Sequence, residues 1–253
     1  MQTSKWRTIL RTHLGGASQR VLSPFGLRLI PMWRTLGYRR EQLLKSGSIT
    51  LVLDVGANDG QYARQLRSSR YAGKIVSFEP SLEAYKKLAA NCASDPKHSA
   101  HNCALGDSDA QVGMYCTANT YSSSLLPLAN NGYNDYPALA VSSLETVAVH
   151  TLDAMFDKLV EKDDRILLKI DAQGYEKAIL VGASSSLSSI DAVEVELSLQ
   201  ELYSGQALLP DIIALLAKQG FICTWLERGY VDPRTGDLLQ VDGLFERLEL
   251  RRQ

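Results

Sequence analysis

The stretch Leu51-Val52-Leu53-Asp54-Val55-Gly56-Ala57-Asn58-Asp59-Gly60 constrains the fold more than any other in the chain. An apolar strand runs into an acid, then a glycine-bounded turn, then the start of a helix. From Ser48 onward strand and helix signals alternate, which is the pattern of a parallel sheet covered by helices. The first strand falls at about 49–55 and a helix at about 60–69, with Tyr62, Ala63 and Leu66 inward. Lys74 to Phe78 is the second strand, ending at Glu79-Pro80. Ser81 then caps a helix with Leu82, Tyr85, Leu88 and Ala89 on one face. A third strand lies near 98–104 and runs into Ala104-Leu105-Gly106-Asp107.

Residues 107–143 interrupt the rhythm. They are rich in Ser, Asn, Tyr and Gly, and a loop of that length inside a compact domain is usually functional or disordered. Their hydroxyl and aromatic content predicts a substrate lid, with Tyr121, Ser122, Ser123 and Ser124 as contacts. Regularity returns with an extended piece over 145–150, a helix from Thr151 and a fourth core strand from Arg165 to Ile170. Asp171-Ala172-Gln173-Gly174 turns into another helix. Ala192 to Leu197 is the fifth strand, and a helix over about 208–219 stops at Gly220. Phe221 to Leu226 and Val241 to Arg247 close the chain, joined by a turn at Asp232 to Gly236. The expected fold is an α/β, Rossmann-like doubly wound sheet of seven strands. It is mostly parallel, with an antiparallel C-terminal strand.

In an open sheet of this kind a ligand sits outside the carboxyl ends of the strands. The acids decide which ligand suits it. An anionic pyrophosphate would be repelled by Asp54 and Asp59, whereas S-adenosylmethionine (SAM) carries an ammonium and a sulfonium and no phosphate. Gly56 lets the backbone turn beside the ligand, and Gly60 lets the helix start close to it. Glu79, at the end of the second strand, can accept both hydroxyls of a ribose, a diol that SAM and dinucleotides share.

Two later strands carry charge where a central parallel strand is normally apolar. Alternation puts Lys169 and Asp171 on one face of the fourth strand, and Glu194 and Glu196 on one face of the fifth. A structural ion pair, such as Lys169 with Glu194, is one reading. The other is that Asp171 and Glu196 face a reacting group and orient or deprotonate it. Carboxylates without a nearby histidine would also suit Mg²⁺ bridging that pair. His13, His98 and His101 stand in no motif, and His150 is either a general base or a packing or surface residue.

Taken together, several blocks resemble the FkbM family of methyltransferases, a branch of the class I SAM-dependent enzymes. They are Asp54 to Gly60, Phe78-Glu79-Pro80, Ala104 to Asp107, Leu152-Asp153, Leu168 to Glu176, Val195-Glu196 and Asp242 to Phe245. The resemblance covers roughly residues 48–247. It implies methylation of a hydroxyl on a sugar, glycan, glycolipid or polyketide-like acceptor. It further implies that Asp54, Gly56 and Gly60 line the methionine end of SAM and that Glu79 holds the ribose. The expected cofactor set is Asp54, Gly56, Ala57, Asn58, Asp59, Gly60, Tyr62, Glu79, Pro80, Ala104, Leu105 and Asp171. The expected catalytic set is Asp171, Glu196 and Lys169. Family members often have Glu where this chain has Gln173, so Asp171 is the favoured base. An NAD(P)-linked oxidoreductase and a non-catalytic binding module are the alternatives; the first lacks the G-x-G-x-x-G spacing.

The charge is unevenly spread. Residues 1–45 hold nine Lys/Arg against Glu41, a net +8, and the remainder carries −9. The basic arm, bounded at about residue 47, reads as a helical cap, a membrane contact or a transit segment; Trp6, Ile9, Leu10 and Leu14 have helical spacing. With a whole-chain net charge of −1, no nucleic-acid partner is expected. Four scattered cysteines without a C-x-x-C pair speak against a zinc site and a disulfide framework and fit a reducing, cytoplasmic location, with the basic arm as the part that would rest at the membrane face.

Overall fold

The computed structural model describes residues 21–25, 29–46, 49–129 and 139–248. The expected helix around Trp6 to Leu14, with His13, lies outside the described residues. Contacts divide the chain into a smaller unit up to Arg40 and a larger one from Glu41, a boundary a few residues earlier than the one expected at residue 47. Helix α1 (Leu36–Ser46) crosses it.

The larger unit is built on a seven-stranded sheet. Its strands are β1 (Leu51–Val55), β2 (Lys74–Phe78), β3 (His98–His101), β7 (Ile166–Ile170), β8 (Ala192–Ser198), β9 (Phe221–Arg228) and β10 (Gln240–Arg247). Their order is β3-β2-β1-β7-β8-β10-β9. The pairs from β3 to β8 are parallel, and β10 runs antiparallel to both its neighbours. The direction of winding reverses between β1 and β7, and the crevice at such a switch point is where open sheets hold ligands. The helices are α2 (Gln61–Ser68), α3 (Leu82–Cys92), α4 (Leu152–Leu159), α5 (Glu176–Val181) and α6 (Leu209–Lys218).

Four local expectations are corrected. The stretch expected as one strand over 98–104 is two: β3 belongs to the main sheet, and β4 (Ala104–Leu105) pairs with β6 (Val141–His150) in a separate three-stranded sheet. Within the expected lid, residues Ala110–Thr117 form β5, antiparallel to β6. Alternating Val112, Met114 and Cys116 carry that strand period, which the polar composition around them obscured. On α3 the buried positions are Ala84, Leu88 and Cys92, while Leu82 is exposed. Ser81 stands at the N-cap but makes no side-chain cap bond. Its backbone N–H donates to Glu79 instead. All four cysteines are free thiols.

The two faces of the sheet differ in chemistry. Leu51, Leu53, Val55, Leu168, Ile170, Val193 and Val195 face one continuous apolar core that includes Leu152, Ile179, Leu180, Ile212 and Leu216 from α4, α5 and α6. The other face carries a polar row in register across four strands: Ser77, Asp54, Lys169 and Glu194. All four are buried. The Lys169 Nζ lies 3.3 Å from Asp54 Oδ1, and the Tyr62 hydroxyl of α2 donates to Glu194 Oε2 at 3.1 Å. The Tyr62 ring also covers the Lys169 ammonium at 5.4 Å, a cation–π contact. Beyond Ser77 the row ends at His98, whose Nε2 is 2.9 Å from the Ser77 hydroxyl.

Burial pulls the Lys169 pKa down, but Asp54 and Asp171 pull harder and the net shift is upward, so Lys169 stays charged. At Asp54 burial wins over pairing and the carboxyl is pushed up. Removing the lysine would leave that carboxyl in the sheet interior without a counter-charge. Lys169→Met is expected to lower unfolding free energy by about 3–5 kcal/mol. A chemical-denaturation midpoint equal to the parent's would contradict this account of the polar row.

Candidate active site

A cavity of 270 Å³ opens over the carboxyl ends of β1, β2, β7 and β8. Val55, Gly56 and Asn58 line it from the β1 turn, and Phe78, Glu79 and Pro80 from the end of β2. Asp171, Ala172 and Gln173 follow β7, and Glu196 belongs to β8. Its roof is the segment carrying Thr120, Tyr121, Ser123 and Ser124. Among the described residues, every charged side chain in the lining is a carboxylate: Glu79, Asp171 and Glu196.

The β1 turn is shaped by close backbone packing. Gly56 has φ +74°, and a Cβ there would stand 1.8 Å from the Asp171 carbonyl oxygen. Asp171 N–H donates to Val55 O at 3.1 Å, so the turns after β1 and β7 are bonded to each other. Asn58 follows with φ +48°, a left-handed conformation that asparagine tolerates better than most residues. Its backbone N–H donates to Glu79 Oε2 at 2.8 Å, and Ser81 N–H donates to Glu79 Oε1 at the same distance. One main-chain donor thus holds each Glu79 oxygen, leaving further lone pairs for a ligand's hydroxyls. Burial pushes the Glu79 carboxyl up to about 7 despite those donors.

On the opposite wall Gln173 is the junction. Its Nε2 donates to Asp171 Oδ1 at 2.9 Å and to Glu196 Oε2 at 3.1 Å. Its Oε1 accepts from the Tyr203 hydroxyl at 2.9 Å, and its backbone carbonyl accepts from Ser124 Oγ at 2.6 Å. Gln173 itself has φ +51°. Glu176, buried at the start of α5, accepts the backbone N–H groups of Ala172 and Gly174 through Oε1 and so fixes the same turn. Burial raises its carboxyl to about 7.

The expected residues divide into those that meet the cavity and those that support it. Gly56, Asn58, Glu79, Pro80, Ala104, Leu105, Asp171, Glu196, Tyr121, Ser123 and Ser124 line it. Asp54, Ala57 and Tyr62 are buried behind the turn, as is Lys169, whose ammonium donates to Gly56 O at 3.3 Å and lies 3.6 Å from Asp171 Oδ2. Lys169 therefore positions the two turns rather than presenting a reacting atom. Asp59 binds Arg64, and Gly60 begins α2 with φ +89°. Ser122 contributes its carbonyl, which accepts from Tyr203. His150 pairs with Asp109 away from the cavity. The stretch 130–138 of the expected lid lies outside the described residues.

Between Asp171 and Glu196, the pair expected to suit Mg²⁺, stands the Gln173 amide nitrogen, a donor where a cation would need a ligand. Among the described residues no group of three His, Cys, Asp or Glu is arranged to hold a metal. Sequence reading missed Tyr203 and Gln240, which reach the site from loops and from β10; no local motif marks either one.

This strand order, with its single antiparallel strand and a cavity across the switch point, defines the class I methyltransferase architecture. A family model of the FkbM methyltransferase domain matches residues 54–223, so the chain belongs to the FkbM methyltransferase family. The 2-O-methyltransferase NoeI of Sinorhizobium fredii is 25% identical over 173 residues, covering 66% of this chain and 70% of that protein. Magnesium protoporphyrin IX methyltransferase (ChlM) of Synechocystis PCC 6803, solved with bound SAM, superposes with a TM-score of 0.46 at 12% identity, over 95% of this chain and 96% of that one. An rRNA methylase of Streptococcus thermophilus does so with a TM-score of 0.45 at 8% identity, over 85% and 98%.

The contact between the β1 and β7 turns generates a test. Gly56→Ala would have to push those turns apart at a positive φ, and a loss above about 1 kcal/mol is expected. Gly113→Ala, on β5 with nothing within 4 Å, is the control and should stay within about 0.5 kcal/mol of the parent. Equal denaturation midpoints for the two variants would count against the close packing at Gly56.

Proposed function

We propose that this chain transfers a methyl group from SAM to the hydroxyl oxygen of a sugar, glycan, glycolipid or polyketide-like acceptor. The observation that carries the reading is the cavity lining, whose charged groups among the described residues are all acidic and include Glu79 with each oxygen oriented by a backbone donor. Such a wall suits a cationic ligand with a ribose diol and opposes a dinucleotide's pyrophosphate. Family membership supports methyl transfer, and the name of the relative NoeI, a 2-O-methyltransferase, supports oxygen as the acceptor atom.

Glu79 would hold the ribose, with Gly56 and Asn58 along the rest of the cofactor and Asp171 and Glu196 at the transfer locus. When bound, SAM supplies an electrophilic methyl group on a sulfonium. The chain's part is alignment, which is the larger share of such a barrier, together with a carboxylate to receive the hydroxyl proton. Tyr121, Ser123 and Ser124 would meet the acceptor from the roof.

Calorimetry should detect SAM binding and no comparable binding of NAD(H). Hydroxyls donate best to an ionised carboxylate, so affinity should tighten as pH rises through about 7, where Glu79 ionises. Glu79→Gln should weaken SAM by about 10- to 100-fold, as befits hydrogen bonds to a charged group, and should flatten the pH dependence. Tight NAD(H) binding without SAM binding would overturn the reading.

We propose for the smaller unit a peripheral contact with an anionic lipid surface, and a cytoplasmic location belongs to the same proposal. Residues 1–40 contain eight Lys/Arg and no acid. Val21, Phe25, Leu29, Ile30, Met32 and Trp33 are exposed, and the Arg34 guanidinium lies 4.8 Å from the Trp33 ring centre. Apolar side chains among basic ones are what an interfacial segment needs, each basic residue adding about 1 kcal/mol at an anionic surface. Among the described residues no helix is long and apolar enough to cross a membrane. Co-sedimentation with phosphatidylserine vesicles, lost in high salt and reduced by Phe25→Ser with Trp33→Ser, is the expected result. Equal recovery with phosphatidylcholine vesicles, or binding indifferent to both changes, would contradict it.

A further inference from the structure

We propose that Glu196, rather than Asp171, takes the proton of the acceptor hydroxyl, with Gln173 and Gln240 as its positioning residues. This rests on the methyl-transfer reading above and assigns roles within that site.

Asp171 and Glu196, the two cavity carboxylates beside Gln173, are held differently. Both Asp171 oxygens are engaged: Oδ1 accepts from Gln173 Nε2 at 2.9 Å, and Oδ2 lies 3.6 Å from the Lys169 ammonium. The Glu196 contacts converge on one oxygen. Oε2 accepts from Gln173 Nε2 at 3.1 Å and from Gln240 Nε2 at 2.6 Å. Among the described residues no hydrogen bond reaches Oε1, and Glu196 lines the cavity. Two amides from different elements, the turn after β7 and strand β10, therefore fix the carboxylate plane and leave one oxygen for a ligand's hydroxyl.

The surroundings also favour proton uptake there. Burial acts first, and Asp171, Glu176 and Asp242 add like charge, with Lys169 as the opposing group. Together they raise Glu196 well above the usual carboxylate range. The Tyr203 hydroxyl is itself pushed up by burial and by Glu196, Glu176 and Asp171, so it stays a neutral donor. A base whose proton affinity is raised is the better match to an alcohol.

The balance is simple. The acceptor oxygen forms a bond to the methyl carbon as the carbon–sulfur bond breaks, and that electron pair stays on sulfur. The hydroxyl proton passes to Glu196 Oε1. A sulfonium and a carboxylate become a neutral thioether and a neutral carboxylic acid, so no further reactant is needed.

The test measures transfer of labelled methyl from SAM into an extract of the native cell, at saturating SAM, as a function of pH. The wild-type rate should rise on an acid-side limb as Glu196 ionises. Glu196→Gln should lower the rate by about 10²–10⁴-fold and abolish the limb, with SAM affinity by calorimetry within threefold of the parent, which also shows that the variant folds. Asp171→Asn should keep the limb and move it to lower pH, because a like charge beside Glu196 is gone. A limb lost in Asp171→Asn but kept in Glu196→Gln would overturn the assignment, as would a Glu196→Gln rate within threefold of wild type. Absence of any transfer by the wild-type chain would instead strike the methyl-transfer reading itself.

Discussion

The Lys169 ammonium is the contact on which the site depends. It lies within 3.6 Å of Asp54 and Asp171 and donates to the carbonyl of Gly56. One cation thereby joins strand β1, the turn that follows it, and the turn after β7. Such a group is costly to bury, and ion pairs in a protein interior often do no better than apolar packing. Its value here is geometric. The turns after β1 and β7 form opposite sides of one cavity, and both are held by the same nitrogen and by the bond from Asp171 N–H to Val55 O. Tyr62 closes the arrangement from α2, reaching across the row to Glu194.

Much of this was legible in the sequence. The apolar runs at Leu51 to Val55 and Leu167 to Ile170 announced central strands, and charges interrupting such runs announced a site. The exchange of partners did not follow. Lys169 was read against Glu194, its neighbour by alternation, but the register also sets it beside Asp54 from a strand more than a hundred residues earlier. Strand pairing across a crossover is a tertiary fact, and no local period encodes it. The same limit hid β5: Ala110 to Thr117 alternates, but its polar surroundings read as lid until β6 was there to pair with it. Tyr203 and Gln240 are invisible for a related reason, since each meets its partners only in the fold and belongs to no motif.

Gln173 shows how a departure from a family pattern can be informative. As an amide it offers both a donor and an acceptor, and the structure uses both, the donor on two carboxylates and the acceptor on Tyr203. A glutamate could not donate to Asp171 and Glu196 at once while ionised. Through its backbone carbonyl the same residue receives Ser124, so the roof of the cavity and its acidic wall are tied at one position. The roof of the cavity and its two wall carboxylates are therefore physically linked through Gln173.

The central claim is that this cavity delivers a methyl group to oxygen. Incubating the protein with SAM labelled in the methyl group and with extract of the native cell, then isolating the labelled product, tests it most directly. The account predicts label in a methyl ether on a sugar or other alcohol, stable to the mild base that cleaves methyl esters. Label recovered on nitrogen, on a carboxyl group or on sulfur, or no incorporation above a boiled control, would contradict it.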